Sequence, residues 1–516
     1  MAQALSSAVP VGVIGAGAMG AGIAQVAARA GHRVLLHDAN AAAVANARAA
    51  LERELRALAA RGKLPADEAE ATIARVRPAA TLADLRECGL IVEAVVEDLV
   101  VKQNLFRTLE GIAAPDCLFA TNTSSLSITA VGAALARPER LAGMHFFNPA
   151  PRMRLVEVVS GLATADDVAQ TIAATARAWG KQTAFAKSTP GFIVNRLARP
   201  FYAEAWRVLA EGAADCATLD AVMRDCGGFP MGPFELMDLI GHDVNLAVTR
   251  SVFDATFGDR RYAPSLAQQE LVRAGWFGRK SGRGVYDYRP EAPKPAPNVE
   301  PGADPVARVT LVGSLGIATP IVTRLERAGI EVVRVENRGA HAKNAAGWLE
   351  IGSARVMLSD GRCASQRALD IDQPQLVLFD LALDYGTTPR LALARADQCG
   401  EAALRTACAT LARAGFTCSR LDDVAGLIVL RTIATLVNEA ADAVAYGICT
   451  PDAIDEAMKH GVNYPRGPMA WAEAVGLDFF ARALANLRAH YGEERYRTSV
   501  LIQRRGWSGT GFEGKA

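Results

Sequence analysis

Val11-Gly12-Val13-Ile14-Gly15-Ala16-Gly17-Ala18-Met19-Gly20 is the stretch that decides the fold. Its first four residues read as a short buried strand. Three glycines follow in the spacing Gly-x-Gly-x-x-Gly, and the alanine-rich Ala21–Ala30 reads as a helix stopped by Gly31. Arg33-Val34-Leu35-Leu36-His37 is then a second strand, ending at Asp38. In a dinucleotide-binding βαβ unit Gly15 permits the tight turn, Gly17 lets backbone approach a pyrophosphate, and Gly20 lets helix and strand pack closely. The helix N-terminus offers unpaired N–H groups to the phosphates. Asp38 lies 18 residues beyond Gly20, where a carboxylate accepts from a ribose 2′-hydroxyl and repels a 2′-phosphate. Gly15, Gly17, Ala18, Met19, Gly20 and Asp38 are therefore expected to hold NAD rather than NADP.

At 516 residues the chain exceeds one core, and roughly 100–200 residues per domain predicts three or four units. A formal net charge of +1 gives no electrostatic basis for binding nucleic acid or an anionic membrane. The nine cysteines are scattered, with no Cys-x-x-Cys pair, so neither a disulfide framework nor a metal site is expected and the compartment reads as reducing. Met1–Pro10 lacks a charged segment followed by an apolar core, and Phe512–Ala516 carries no recognisable address. No apolar run approaches the roughly 18 residues that span a bilayer. The expectation is a cytoplasmic protein.

Ala41 to about Arg61 is a long polar helical stretch closed by Gly62-Lys63-Leu64-Pro65. Arg61 and Lys63 read either as a solvated helix end or as contacts to a substrate phosphate. Cys88–Val95 is another buried strand, followed by Glu97 and by Lys102 in a helix starting near Leu99. Ligands in such sheets sit beyond the carboxyl ends of strands, which places Glu97 and Lys102 near a nicotinamide ribose. Leu118-Phe119-Ala120 is a further strand, ending at Thr121-Asn122-Thr123-Ser124-Ser125-Leu126. These small polar side chains suit either helix capping or a ligand. His145 ends the next strand at the same edge. After two prolines the strand-like Leu155–Val158 carries one acid, Glu157. If the two strands pair, the carboxylate fixes the imidazole tautomer and leaves the other nitrogen free to take a proton. Taken alone, the pair reads first as a buried structural histidine and a strand-end glutamate, and it is the upstream motifs that overturn this.

Together, Gly15–Gly20, Asn122-Thr123-Ser124-Ser125, His145-Phe146-Phe147-Asn148-Pro149 and Pro190-Gly191-Phe192-Ile193-Val194-Asn195-Arg196 resemble the L-3-hydroxyacyl-CoA dehydrogenases. The match runs from about Val11 to Tyr288. The resemblance implies His145 as catalytic base with Glu157 as its partner, and Ser124 and Asn195 beside the reacting end of the substrate. It implies Glu97, Lys102, Asn148 and Lys280 as nicotinamide-side contacts, and the Arg61/Lys63 region as a candidate for the CoA phosphates. Beyond Thr189 the pattern becomes helical, with Pro200 expected to kink the stretch Asn195–Gly212.

Arg289–Pro305 carries six prolines and reads as a semi-extended linker. The chain then repeats itself. Val309-Thr310-Leu311-Val312-Gly313 is again strand-then-glycine, and Glu336 falls as far past Gly313 as Asp38 falls past Gly15. Leu315 and Ala318 replace the second and third glycines, so a leucine would fill the pyrophosphate space. The helical part repeats at a constant offset of 235: Gly191 matches Gly426, Glu204 matches Glu439, and Gly232-Pro233 matches Gly467-Pro468. Asn195 becomes Leu430, and no counterpart of His145–Glu157 is visible.

The expected fold is thus an α/β Rossmann-type dinucleotide-binding domain (1–189) plus an all-α domain (190–288), a linker (289–305), and a degenerate second copy of both (306–422 and 423–516). In short members of the family the helical domain makes a dimer, so the second copy is expected to form an intrachain pseudo-dimer. A homo-oligomer is a further expectation. The two-copy layout resembles the long branch of the family, which acts on 3-hydroxyadipyl-CoA in aerobic phenylacetate breakdown. Arg152, Arg154, Arg196 and Arg199 are candidates for its terminal carboxylate, since a guanidinium fork suits that group. The expected reaction is oxidation of an (S)-3-hydroxyacyl-CoA. Alternatives are a short-chain 3-hydroxybutyryl-CoA enzyme, a non-catalytic structural relative, and a sugar-acid dehydrogenase, the last disfavoured because it would place a lysine at Asn195.

Overall fold

Strand β1 (Val11–Ile14) is buried along its whole length and pairs in parallel with β2 (Val34–His37) on one side and β4 (Leu90–Glu93) on the other. Chain order therefore reverses at β1, and the carboxyl end of that strand opens the crevice where such sheets bind ligands. The computed structural model describes residues 3–337 and 347–512. The readings placed on Met1, Ala2 and Glu513–Ala516 lie outside them. The chain divides into two compact units, Met1–Arg196 with Ala443–Val462, and Leu197–Asp442 with Asn463–Ala516.

The first unit holds an eight-stranded sheet in the order β3-β2-β1-β4-β5-β6-β7-β8. Its other strands are β3 (Val76–Pro78), β5 (Leu118–Thr121), β6 (Leu141–Phe146), β7 (Leu155–Ser160) and β8 (Gln182–Lys187). The connecting helices include α1 (Ala18–Arg29), α2 (Ala41–Ala60), α3 (Ala66–Arg75) and α4 (Leu99–Glu110). Val11, Val13, Leu36 and Val92 pack under Ile23, Ala24 and Ala27 of α1 in one core. Each fully buried branched side chain there contributes about 1.5–3 kcal/mol. β7 runs antiparallel to β6 with His145 opposite Glu157, the side-by-side pairing that the sequence requires for contact. The sequence gives no warning of β3, because it is three residues long, two of them exposed, and ends in proline.

A helix of the second helical copy belongs to this first unit. Helix α5 (Val194–Leu197) ends where Pro200 predicts a break, and α6 (Arg199–Ala210) begins with that proline in its first turn, where a missing N–H costs nothing. Helix α7 (Val429–Ala445) repeats this region. Helix α8 (Pro451–Gly461) follows and packs against β7 and β8. The Lys187 N–H donates to the Ile448 carbonyl at 2.9 Å.

The second unit contains the helical domains and a seven-stranded mixed sheet, ordered β10-β9-β11-β12-β13-β14-β15. These strands are β9 (Arg308–Val312), β10 (Glu331–Val335), β11 (Trp348–Ile351), β12 (Ala354–Leu358), β13 (Leu376–Phe379), β14 (Arg390–Arg395) and β15 (Thr417–Arg420). β9 and β10 pair in parallel as β1 and β2 do, but the antiparallel β11 stands between β9 and β12. Leu315 is buried. The proline-rich stretch has neither helix nor strand, yet it is fastened: Asn298 donates to Thr218 Oγ1 at 2.9 Å and exchanges hydrogen bonds with the Arg420 backbone. Among the described residues no helix is long and apolar enough to cross a membrane.

Candidate active site

The β6–β7 register brings His145 Nδ1 to 2.6 Å from Glu157 Oε2, with both side chains buried. Glu157 is held at its other oxygen: Oε1 accepts the Ile193 N–H at 3.1 Å and the Val194 N–H at 2.8 Å, at the start of α5. A carboxylate tied to a helix start cannot swing away, so the imidazole orientation is set by the fold. With Nδ1–H donated to Glu157, Nε2 carries the lone pair, and among the described residues it has no hydrogen-bond partner. Phe147 and Phe192 wall the ring at centroid distances of 4.6 and 5.8 Å. Phe192 adopts a left-handed φ of 47°, and its equivalent in the second copy, Leu427, has φ 51°. Strain of this kind persists only where the surroundings enforce it.

At the end of β5 the hydroxyl cluster has one focus. Glu97 Oε1 accepts from Thr123 Oγ1 at 2.6 Å, Ser124 N at 2.9 Å, Ser125 Oγ at 2.9 Å and Ser125 N at 3.1 Å, with Ser124 Oγ at 3.4 Å. Burial pushes the Glu97 pKa up, but the Thr123 hydrogen bond, the Lys102 ammonium and the serine donors outweigh it, and the net shift is downward. Glu97 is therefore an anion at neutral pH. Lys102 is itself buried, with Nζ at 2.5 Å from Glu93 and 3.4 Å from Glu97. It acts on Glu97 rather than standing in an open cleft. Glu93 also accepts from Thr121 Oγ1 at 2.6 Å. A lone acid inside the apolar run Leu90-Ile91-Val92-Glu93 was the available signal for this anchor, and sequence reasoning did not assign it. Asn122 Oδ1 accepts the Phe146 N–H at 2.8 Å and so fixes the end of the His145 strand. Ser124 and Asn195 are half-buried, and Asn195 directly follows the two residues whose N–H groups hold Glu157.

The glycine loop fits a dinucleotide. Gly15 has φ +100°, and a Cβ on Gly20 would lie 1.8 Å from the Gly15 carbonyl oxygen, so no side chain is tolerated there. A Cβ on Gly17 would meet nothing within 4 Å, which leaves open space where a pyrophosphate needs it. Ala18 is exposed and Met19 half-exposed at the start of α1. Asp38 accepts the Ala16 N–H at 2.7 Å and the Asn40 N–H at 2.8 Å. A carboxylate has about four acceptor sites, so capacity remains for a ribose hydroxyl.

Arg61 lines a cavity of about 440 Å³ between α1, α2 and the turn Asn148–Arg152, with Arg152 also on its wall. Lys63 is exposed and not part of that lining. Asn148 is exposed on the same turn, which Lys181 braces by donating to the carbonyls of Ala150 at 2.6 Å and Met153 at 2.8 Å. Arg154 is exposed. Lys280 belongs to the second unit, where it pairs with Asp243 at 2.7 Å. Arg199 is buried there against Tyr202 and donates to Thr249.

Comparison with known proteins identifies the family. Residues 10–189 match the family profile "3-hydroxyacyl-CoA dehydrogenase, NAD binding domain", and residues 191–288 and 426–510 both match the C-terminal domain of the same family. Residues 356–424 match a "3-hydroxybutyryl-CoA dehydrogenase reduced Rossmann-fold domain". The chain is 43% identical over 503 residues to the 3-hydroxyadipyl-CoA dehydrogenase of Escherichia coli K12, covering 98% of each chain. A probable 3-hydroxybutyryl-CoA dehydrogenase of Deinococcus radiodurans is 42% identical over 277 residues, 54% of this chain and 99% of its own. The crystal structure of a 3-hydroxybutyryl-CoA dehydrogenase, also from Escherichia coli K12, superposes with a TM-score of 0.86 at 42% identity, over 98% of this chain and 100% of that one. The glycine loop, the His145–Glu157 pair and the repeated helical domain thus sit in a chain that belongs to the NAD-dependent 3-hydroxyacyl-CoA dehydrogenase family.

Proposed function

We propose that the chain oxidises (S)-3-hydroxyadipyl-CoA to 3-oxoadipyl-CoA, with His145 as general base. The observation that carries the base assignment is the 2.6 Å contact from His145 Nδ1 to a Glu157 that two backbone amides immobilise. His145 Nε2 accepts the proton of the substrate 3-hydroxyl. Glu157 stabilises the imidazolium so formed and keeps the ring from turning. Such a base contributes roughly 10²–10⁴-fold. Bound NAD supplies the hydride acceptor, which carries the rest of the chemistry. Ser124 and Asn195 orient the reacting oxygens. Gly15, Gly17, Ala18, Met19, Gly20 and Asp38 hold the cofactor, with Glu97 and Asn148 on its nicotinamide side and Lys102 positioning Glu97. Arg61 and Arg152 face a cleft suited to CoA phosphate groups.

The adipyl assignment is supported by end-to-end similarity to a protein of that name. The rival reading, 3-hydroxybutyryl-CoA, is favoured by the name that the superposable crystal structure bears. NADH formation on adipyl-, butyryl- and octanoyl-type 3-hydroxyacyl-CoAs separates them. A kcat/KM at least tenfold higher for the terminal carboxylate supports the proposal, and equal or better turnover of the butyryl substrate refutes it. The two helical copies are further read as an intrachain counterpart of a dimer, supported by the buried pair of Glu204 in α6 and Arg431 in α7 at 2.6 Å. The nine free thiols support a reducing, cytoplasmic location.

A further inference from the structure

The second unit keeps a cavity of about 560 Å³ at the carboxyl ends of β9 and β12, within the 300–1,000 Å³ that small-molecule sites occupy. Its far wall is helix α9 (Leu477–Tyr491), through Phe479 and Arg482. This is the crevice position of an α/β sheet, but Leu315, buried where the second loop glycine would stand, takes the room a pyrophosphate needs. Leu315, Ile317, Met357 and Phe479 make much of the lining apolar.

The charges in this cavity are lopsided. Arg355, Arg362, Arg367 and Arg482 line it against a single acid, Asp360. Arg355 is committed to Glu350 at 2.9 Å and lies over the Trp348 ring, and Arg362 is committed to Asp360 and Asp370. Arg367 is buried and donates from Nη1 to the Leu358 carbonyl at 2.5 Å, while its Nε is ion-paired with Asp360 at 3.5 Å and makes no hydrogen bond among the described residues. A buried donor left unmet is costly, and an incoming acceptor removes that cost. Arg482 is exposed and has no acidic partner among the described residues.

We infer that this cavity is a binding site for a small amphiphilic carboxylate, an acyl or aryl acid whose apolar body lies on Leu315, Ile317 and Phe479 and whose carboxylate is taken by Arg482 and Arg367. A planar carboxylate matches the guanidinium fork. The buried Leu315 takes the room of a pyrophosphate, and the apolar walls leave a nucleotide's sugar hydroxyls without partners.

Octanoate and 3-phenylpropanoate are titrated by calorimetry into the full-length protein saturated with NADH, with their methyl esters, inorganic phosphate and AMP as the other probes. One saturable carboxylate site is expected. Binding falls tenfold or more in Arg482→Ala and in the cavity-filling Ile317→Trp, and the esters bind at least tenfold more weakly. Arg482→Ala retains wild-type 3-hydroxyacyl-CoA turnover, which shows that the chain is folded. The inference is overturned by absent binding, by carboxylate affinity unchanged in Arg482→Ala, by esters that bind as well as the acids, or by AMP or phosphate binding more tightly than either acid.

Discussion

Asp380 accepts the backbone N–H of Val429 at 2.7 Å. Val429 stands 235 residues beyond Val194, whose N–H goes to Glu157 at 2.8 Å. Both copies therefore anchor the start of the same helix on a buried carboxylate, but from different strands. Glu157 lies within β7, whereas Asp380 directly follows β13. Glu157 gives one oxygen to the helix and keeps the other for His145. Asp380 gives both to the backbone, accepting from Leu381, Ile428, Val429 and Leu430 at 2.7–3.0 Å. The anchor is a structural need that survives in the second copy. The spare oxygen that makes Glu157 useful to a base does not.

His145→Gln removes the base while keeping bulk and polarity. It is expected to lower kcat by about 10²–10⁴-fold and to leave NADH affinity, measured by fluorescence titration, near wild type. Near-normal turnover would sink the base assignment. Glu157→Gln can still accept from Val194 but cannot stabilise an imidazolium, so kcat falls while the thermal midpoint moves little. A large loss of stability with intact kcat would make Glu157 an anchor only.

Asp38 separates NAD from NADP by charge. Asp38→Asn keeps an acceptor for the Ala16 and Asn40 amides, which now hold the carboxylate at 2.7 and 2.8 Å, and removes the repulsion of a 2′-phosphate. The NAD-to-NADP ratio of kcat/KM is expected to fall at least tenfold. A wild-type preference for NADP would refute the reading outright.

The parts of this site that were legible in the sequence are those set by spacing. Strand, glycines, helix and acid fall in a fixed register, so Gly15–Gly20 and Asp38 could be placed without coordinates. His145 and Glu157, twelve residues apart, become a pair only if two strands run side by side, and the intervening Pro149 and Pro151 announce the turn that makes them do so. What was not legible is how buried side chains divide their hydrogen bonds. Nothing in the order of residues says that Lys102 spends its charge on Glu93, that five donors from Thr123–Ser125 converge on Glu97, or that a helix 451–461, in the far copy, packs on the strand that carries Glu157. These depend on tertiary neighbours that periodicity does not encode.

Asp380 gives the second copy a pH signature. Burial pushes its pKa up from 3.8 to about 7, although four backbone N–H groups oppose the shift. A carboxyl raised in the folded state stabilises most when protonated in both states, and that contribution is lost as pH rises from about 3.8 through about 7. Asp380→Asn cannot titrate. The stability difference between wild type and this variant is therefore expected to shift in favour of the variant as pH is raised across that window. Denaturation midpoints at several pH values measure it, and a constant difference would show that Asp380 stays ionised throughout.

Arg431 is the residue on which the intrachain pairing of the helical copies is best tested. It is buried, its Nε reaches Glu204 at 2.6 Å and the Tyr496 hydroxyl at 2.9 Å, and its Nη2 reaches Glu211 at 2.8 Å. Glu204 belongs to the first helical copy and Arg431 to the second. Burial pushes the Glu204 pKa up, but Arg207 and Arg431 outweigh it, so the carboxyl titrates below its usual range and its contribution is lost as pH falls through that range. Val429 and Leu430 are poorer probes of the pairing, because both side chains are fully buried and their amides serve Asp380. Arg431→Met leaves Glu204 in place with its main cross-copy cation removed, and breaking a buried pair in this way costs about 3–5 kcal/mol. Arg431→Met with Glu204→Leu removes both charges and is expected to recover part of that loss. The double-mutant coupling energy, taken from urea denaturation, should exceed about 1 kcal/mol, as for groups in direct contact. A coupling near zero would remove this ion pair as support for reading the two helical copies as an intrachain dimer.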